Sequence, residues 1–88
     1  MLKIQRTTDG QRIVFTLSGR IEGEHVAELQ RLFTLEADGI SLVLDLDEIE
    51  LVDRESVRFL LRCETEGITL MHCPAYIREW IEREKDQQ

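Results

Sequence analysis

Six carboxylates fall between positions 45 and 55: Asp45, Asp47, Glu48, Glu50, Asp53 and Glu55. Oxygen ligands of this kind suit a hard cation, but a calcium loop needs them at regular spacing around a glycine. This stretch has no glycine, so it reads as a solvated acidic loop, and no metal or other cofactor is expected. His72 and Cys73 are adjacent, which would suggest a thiol–imidazole nucleophile if the two groups could meet and a third oriented the base. Neighbours on a strand point to opposite faces, so Cys73 reads as a small residue at a strand-to-helix junction. His25 stands alone near the start of a helix. Gly19-Arg20-Ile21-Glu22-Gly23 has the wrong order and spacing for a phosphate-cradling loop. No catalytic residue is expected, and an enzyme is not the favoured reading.

The elements that must position these residues follow from periodicity. Leu2 and Ile4 alternate with Lys3 and Gln5, and Ile13, Phe15 and Leu17 alternate with Arg12, Val14 and Thr16. Alternation marks half-buried strands. Thr7-Thr8-Asp9-Gly10 between them is hairpin-turn chemistry. A helical stripe of Val26, Leu29, Leu32 and Phe33 follows, with Glu24 in the first turn to suit the helix dipole and Asp38-Gly39 as its stop. Ile40, Leu42, Leu44 and Leu46 form a third strand, and 47–52 reads as a connecting loop. Asp53 is placed to cap a second helix whose stripe is Val57, Leu60 and Leu61, with Phe59 and Cys63 at its margins and Gly67 at its end. Ile68 and Leu70 make the fourth strand. Pro74 suits the first turn of a last helix carrying Ile77, Trp80 and Ile81. Trp80 reads as core and Tyr76 as a partly exposed contact point. The tail 82–88 is charged and predicted to fray.

The predicted order is β-β-α-β-α-β-α in a single domain, 1–88. Strands alternating with helices imply parallel pairing across right-handed crossovers. Strands buried on both faces would read as continuous apolar runs; these alternate instead. The expectation is an α/β fold with a four-stranded mixed sheet, the first strand antiparallel and the helices mainly on one face. The other face carries Val14, Val43 and Met71, a modest apolar strip through which a homodimer could form.

Composition narrows the partners. The 88 residues hold 11 basic and 18 acidic side chains, a net charge of −7. A phosphate backbone needs clustered positive charge, so nucleic acid is not expected, and anionic membrane surfaces are disfavoured for the same reason. Apolar runs such as Ile40–Leu44 are far shorter than a membrane span of roughly 20 residues, so no membrane insertion is expected. The start Met1-Leu2-Lys3-Ile4 lacks a signal-peptide pattern, and Cys63 and Cys73 read as reduced thiols. Both point to the cytoplasm.

Three stretches, Phe15–Ile21, Leu42–Asp53 and Gly67–Leu70, together resemble the STAS family, whose founding members are bacterial anti-sigma-factor antagonists. Phe15-Thr16-Leu17-Ser18-Gly19-Arg20-Ile21 resembles its strand ending in glycine before the first helix. Leu42-Val43-Leu44-Asp45-Leu46, followed by Ile49, Leu51, Val52 and Asp53, resembles its central strand leading to an aspartate that opens the second helix. Gly67-Ile68-Thr69-Leu70 resembles its last strand. The resemblance implies a non-enzymatic protein-interaction module in signal transduction and transcription regulation, with an anti-sigma factor of serine-kinase type as partner. The family's phosphorylated hydroxyl follows the aspartate; here Arg54 and Glu55 stand there, and Ser56 replaces a glycine. The usual switch is therefore absent, or moved to Ser56. A phosphate at a helix N-terminus adds about −1.5 to −2 charge where the dipole favours it. The expected partner surface is Asp53, Arg54, Glu55, Ser56 and Arg58, with Arg20 and Glu22 from the loop on the same edge. Two other readings stay open: an accessory subunit of a transporter ATPase or signalling assembly, and a small-ligand or nucleotide-binding domain at the strand ends.

Overall fold

The computed structural model describes residues 2–36 and 39–87. Seven elements follow in the expected order: β1 (Leu2–Asp9), β2 (Arg12–Ile21), α1 (Gly23–Thr34), β3 (Ser41–Val52), α2 (Arg54–Thr65), β4 (Thr69–Met71) and α3 (Ala75–Asp86). The sheet order is β1-β2-β3-β4. β1 is antiparallel to β2, with Leu2 opposite Gly19 and Asp9 opposite Arg12. β2, β3 and β4 are mutually parallel. Gly10 supplies the positive φ of 64° that the two-residue hairpin turn requires.

All three helices bury their apolar stripes in one cluster with one face of the sheet. Ile13, Phe15, Leu17, Leu44 and Leu46 meet Val26, Leu29, Val57, Leu60, Ile77 and Ile81 there. Phe33 links two helices to the sheet: its ring lies 5.2 Å from Phe15 and stacks 6.0 Å from Phe59. Phe59 and Cys63, expected at the margin of α2, are both fully buried. Trp80, expected in the core, is only half-buried against it. On the opposite face Val43 is also buried, although it lies outside this cluster. It sits between Val14 and Thr69, its partners on the flanking strands, so the apolar strip is partly closed by the sheet's own side chains.

Two expectations need correction. Residues 47–52 are strand, not loop. β2 runs on through Gly19, Arg20 and Ile21, and these pair with Ile49, Leu51 and Val52. Two register shifts each place one extra residue on β3, between Asp45 and Glu48 and between Ile49 and Leu51. Each extra residue resets the side-chain alternation, so the buried positions run Leu44, Leu46, Ile49, Val52 and the period of two is lost. The first helix ends at Thr34; of the expected stop, Asp38 lies outside the described residues, while Gly39 has φ 85°. In the stretch read as tail, α3 continues through Asp86 and Glu84 is buried. α3 is fastened to α2 at both ends. Arg78 donates two hydrogen bonds of 3.0 Å to the Glu64 carboxylate, and Arg54 donates at 2.9 Å to Glu84. This pairing sets the two helices antiparallel.

Candidate functional site

At the carboxyl ends of the parallel strands, β2 and β3 finish side by side, with Ile21 opposite Val52. Each chain then turns into a helix. Asp53 is the N-cap of α2, with extended backbone (φ −102°, ψ 176°). Its Oδ1 accepts from the Ser56 N–H at 2.8 Å, as an N-cap aspartate should. Its Oδ2 accepts from the Gly23 N–H at 2.8 Å, so the same carboxylate caps the first residue of α1. The Asp53 N–H donates to the Ile21 carbonyl at 3.3 Å, and the Ser56 hydroxyl donates to that same carbonyl at 2.9 Å. Four hydrogen bonds thus join the end of β2 and the starts of α1 and α2. Burial pushes the Asp53 carboxyl up, but the bonds from Ser56 and Gly23 outweigh it and hold the group below the usual aspartate range.

Around this node the expected surface residues divide. Asp53, Arg54, Glu55, Arg58, Arg20 and Glu22 are exposed and share one end of the molecule. Ser56 does not join them: it is fully buried, with its hydroxyl donated to the Ile21 carbonyl. Glu55 lies over the first turn of α1: a Cβ added at Gly23 would collide with the Glu55 carboxylate. That placement suits the positive end of α1. Arg54 and Arg58 turn towards α3, where both reach Glu84 Oε1, at 2.9 and 3.6 Å. Arg54 also donates to Gln87 at 3.4 Å.

The edge carries two exposed apolar side chains that periodicity did not single out as a pair. Leu51 is 53% exposed and Tyr76 43%. The Tyr76 hydroxyl donates to the Glu50 carbonyl at 3.0 Å, and burial, with Cys73 adding to it, raises its pKa. Leu51 could not be read from the sequence because the second register shift turns it outward.

The other chemical candidates have local roles. The Glu22 N–H donates to His25 Nδ1 at 3.0 Å, which makes His25 part of the α1 cap. His72 Nδ1 lies 3.1 Å from Asp45 Oδ1, and His72 adopts φ 55°, a left-handed conformation uncommon outside glycine. Burial pushes the Cys63 thiol up to about 12 and also raises that of Cys73; a nucleophilic cysteine needs the opposite shift. Among the described residues, no three His, Cys, Asp or Glu side chains gather into a metal-binding group. A cleft of about 540 Å³ with a mixed lining, Phe33, Leu42, Phe59 and Ile68 beside Arg62 and Glu66 among others, opens at the amino ends of β3 and β4. Ligands of open α/β sheets bind at the opposite, carboxyl ends. No described helix is long and apolar enough to cross a membrane.

No protein-family model matches the chain, and no curated protein matches it. Solved structures do. The STAS domain of an antisigma-factor antagonist from Rhodobacter sphaeroides superposes with a TM-score of 0.61 at 15% identity, covering 81% of this chain and 86% of that one. An uncharacterized protein of the DUF3478 family from Shewanella loihica, described as having a SpoIIAA-like fold, gives 0.59 at 14% identity, covering 98% and 77%. A protein designated Mglu gives 0.57 at 23% identity, covering 81% of this chain but 19% of its own. The order of elements, the mixed sheet and these superpositions together assign the chain the STAS, or SpoIIAA-like, fold.

Proposed function

We propose that this domain is a non-catalytic protein-interaction module of the anti-sigma-factor-antagonist kind, working in bacterial regulation without a phosphorylated hydroxyl on α2. The observation that carries the reading is the node at Asp53. Backbone and side-chain hydrogen bonds hold the start of α2 rigid, and Arg54 and Glu55 project from it with fixed charges. Arg20, Glu22 and Arg58 extend the surface. A preorganised, charged tip suits recognition, since charges select a partner and raise its association rate. The R. sphaeroides domain is named for an antagonist of an anti-sigma factor, and a protein partner of that type is the one inferred here. The free cysteines Cys63 and Cys73 fit the reducing cytoplasm.

The test is a co-purification from the source cell with wild-type protein and with the double reversal Arg54→Glu/Glu55→Arg. The reading expects a protein partner that the reversal releases. Equal recovery by both proteins would remove this surface. Mass spectrometry of the purified domain is expected to find Ser56 unmodified.

A further inference from the structure

The outer face of α2 repeats one residue type every four positions: Arg54, Arg58 and Arg62, all exposed. Residues four apart are neighbours on a helix, so the guanidinium groups form a stripe about 12 Å long. Arg83 of α3 borders the same side, in a shallow cleft with Arg54, Trp80, Glu84 and Gln87. Within the stripe and this cleft, four arginines meet one carboxylate, that of Glu84. The chain as a whole carries −7, so a run of exposed arginines on one helix stands out against it. Arg54 and Arg83 border the cleft between α2 and α3, and Arg62 lies at the rim of the cleft towards α1, beside Phe59 and Glu66.

Intramolecular pairing accounts for part of this set. Glu84 is buried and offers one oxygen to both Arg54 and Arg58, at 2.9 and 3.6 Å; one carboxylate balances one of the two charges. Arg62 stands 6.0 Å from the centre of the Phe59 ring and has no ion-pair partner among the described residues. Like charges four residues apart weaken a helix, so three in series do not serve the stability of α2.

We propose that the arginine stripe of α2 is a docking surface for an acidic segment of a partner protein. The proposal rests on the function proposed above and specifies the partner's chemistry beside that same tip. Arginine's planar fork matches carboxylates in pairs. The spacing of the stripe, about 6 Å per step, suits carboxylates on one face of a helix or on every second residue of a strand. Trp80, half-buried at the rim, offers the aromatic anchor that interfaces favour. Exposed acids flank the stripe: Glu55 on α2, Glu66 at its C-cap and Glu79 on α3. A broad anionic surface such as a membrane would meet these acids as well, while a narrow segment fits between them. A second copy of the chain brings its own −7 and is repelled at long range.

The experiment uses the full chain and a fluorescent, glutamate-rich peptide of about a dozen residues, followed by anisotropy at low salt. Saturable binding is expected. Arg62→Glu and Arg58→Gln should each weaken it about tenfold or more, and the lysine replacements should restore most of it. Binding should fall steeply between about 0.05 and 0.5 M salt, and Arg31→Glu on α1 should leave it unchanged. Circular dichroism checks that each variant folds, and Arg62→Glu leaves Glu84 and its partners untouched. No saturable binding at about 1 mM, or equal binding by Arg62→Glu and Arg58→Gln, overturns the proposal. So does a preference for vesicles containing phosphatidylserine, or wild-type self-association that Arg62→Glu abolishes. A co-purified partner released by Arg54→Glu/Glu55→Arg but retained by Arg62→Glu overturns this inference alone and leaves the tip as the binding surface.

Discussion

The first turn of α2 has an inner and an outer side, and they are built differently. Inward, Asp53 and Ser56 spend their polar atoms on backbone groups of β2, α1 and α2. Outward, Arg54 and Arg58 reach only side chains at the end of α3, and both are more than half exposed. Residues separated by one or two positions thus have unlike duties: the inner set fixes where the helix starts, and the outer set is free to be read by another molecule. Proximity to a family motif does not make a residue a contact. Ser56 sits inside the motif and faces the core.

The contrast can be broken by mutation. The largest effect is expected from Ser56→Asp, which places a charge in a fully buried position and should cost about 3 kcal/mol or more. Ser56→Ala should cost only about 1 kcal/mol, since Ile21 still accepts from the Asp53 N–H. Urea denaturation measures both; a Ser56→Asp protein as stable as wild type would refute the inner side as drawn.

Asp53→Ala removes the cap from two helices at once, at about 1 kcal/mol each, so a loss of about 2 kcal/mol is expected in the same assay. The effect should depend on pH. Asp53 and Glu64 both have carboxyls held below their ordinary values. Groups of this kind stabilise the fold above their unfolded pKa, about 3.9 for Asp and 4.3 for Glu, and that stability is lost as the pH falls through the lowered folded values. Acid titrations of stability should therefore be flatter for Asp53→Ala than for wild type below about pH 4, and parallel curves would count against the node.

Glu84→Gln leaves Arg54 and Arg58 without their buried carboxylate and should cost about 1–2 kcal/mol. Arg54→Gln should be the mildest, within about 0.5 kcal/mol, because Glu84 keeps Arg58. If Arg54→Gln destabilised the fold as much as Asp53→Ala, the division between the two sides would fail.

Much of the fold was legible in local pattern. Alternation marked the hairpin, the 3.6-residue period marked three helices, and capping grammar marked Asp53 at the head of α2. What local pattern could not carry was contact across long separations. Ser56 is buried through a bond to Ile21, 35 residues away, and nothing in the run Asp53-Arg54-Glu55-Ser56 signals it. Glu84 lies in a charged tail and is ordered by Arg54, 30 residues earlier. The second half of β3 was misread because its register shifts erase the alternation that marks a strand. The second duty of Asp53, on Gly23, depends on β2 and β3 ending level and has no sequence signal.

The two surplus residues of β3 make the tip sensitive to chain length. Removing one residue anywhere from Asp47 to Leu51 would change the composition little. It would draw Asp53 back by about 3.3 Å, beyond hydrogen-bonding distance of the Gly23 amide, and turn the following side chains over. Counting residues thus sets the angle at which α1 and α2 leave the sheet, and a single deletion there would separate two helix starts that most substitutions nearby leave joined.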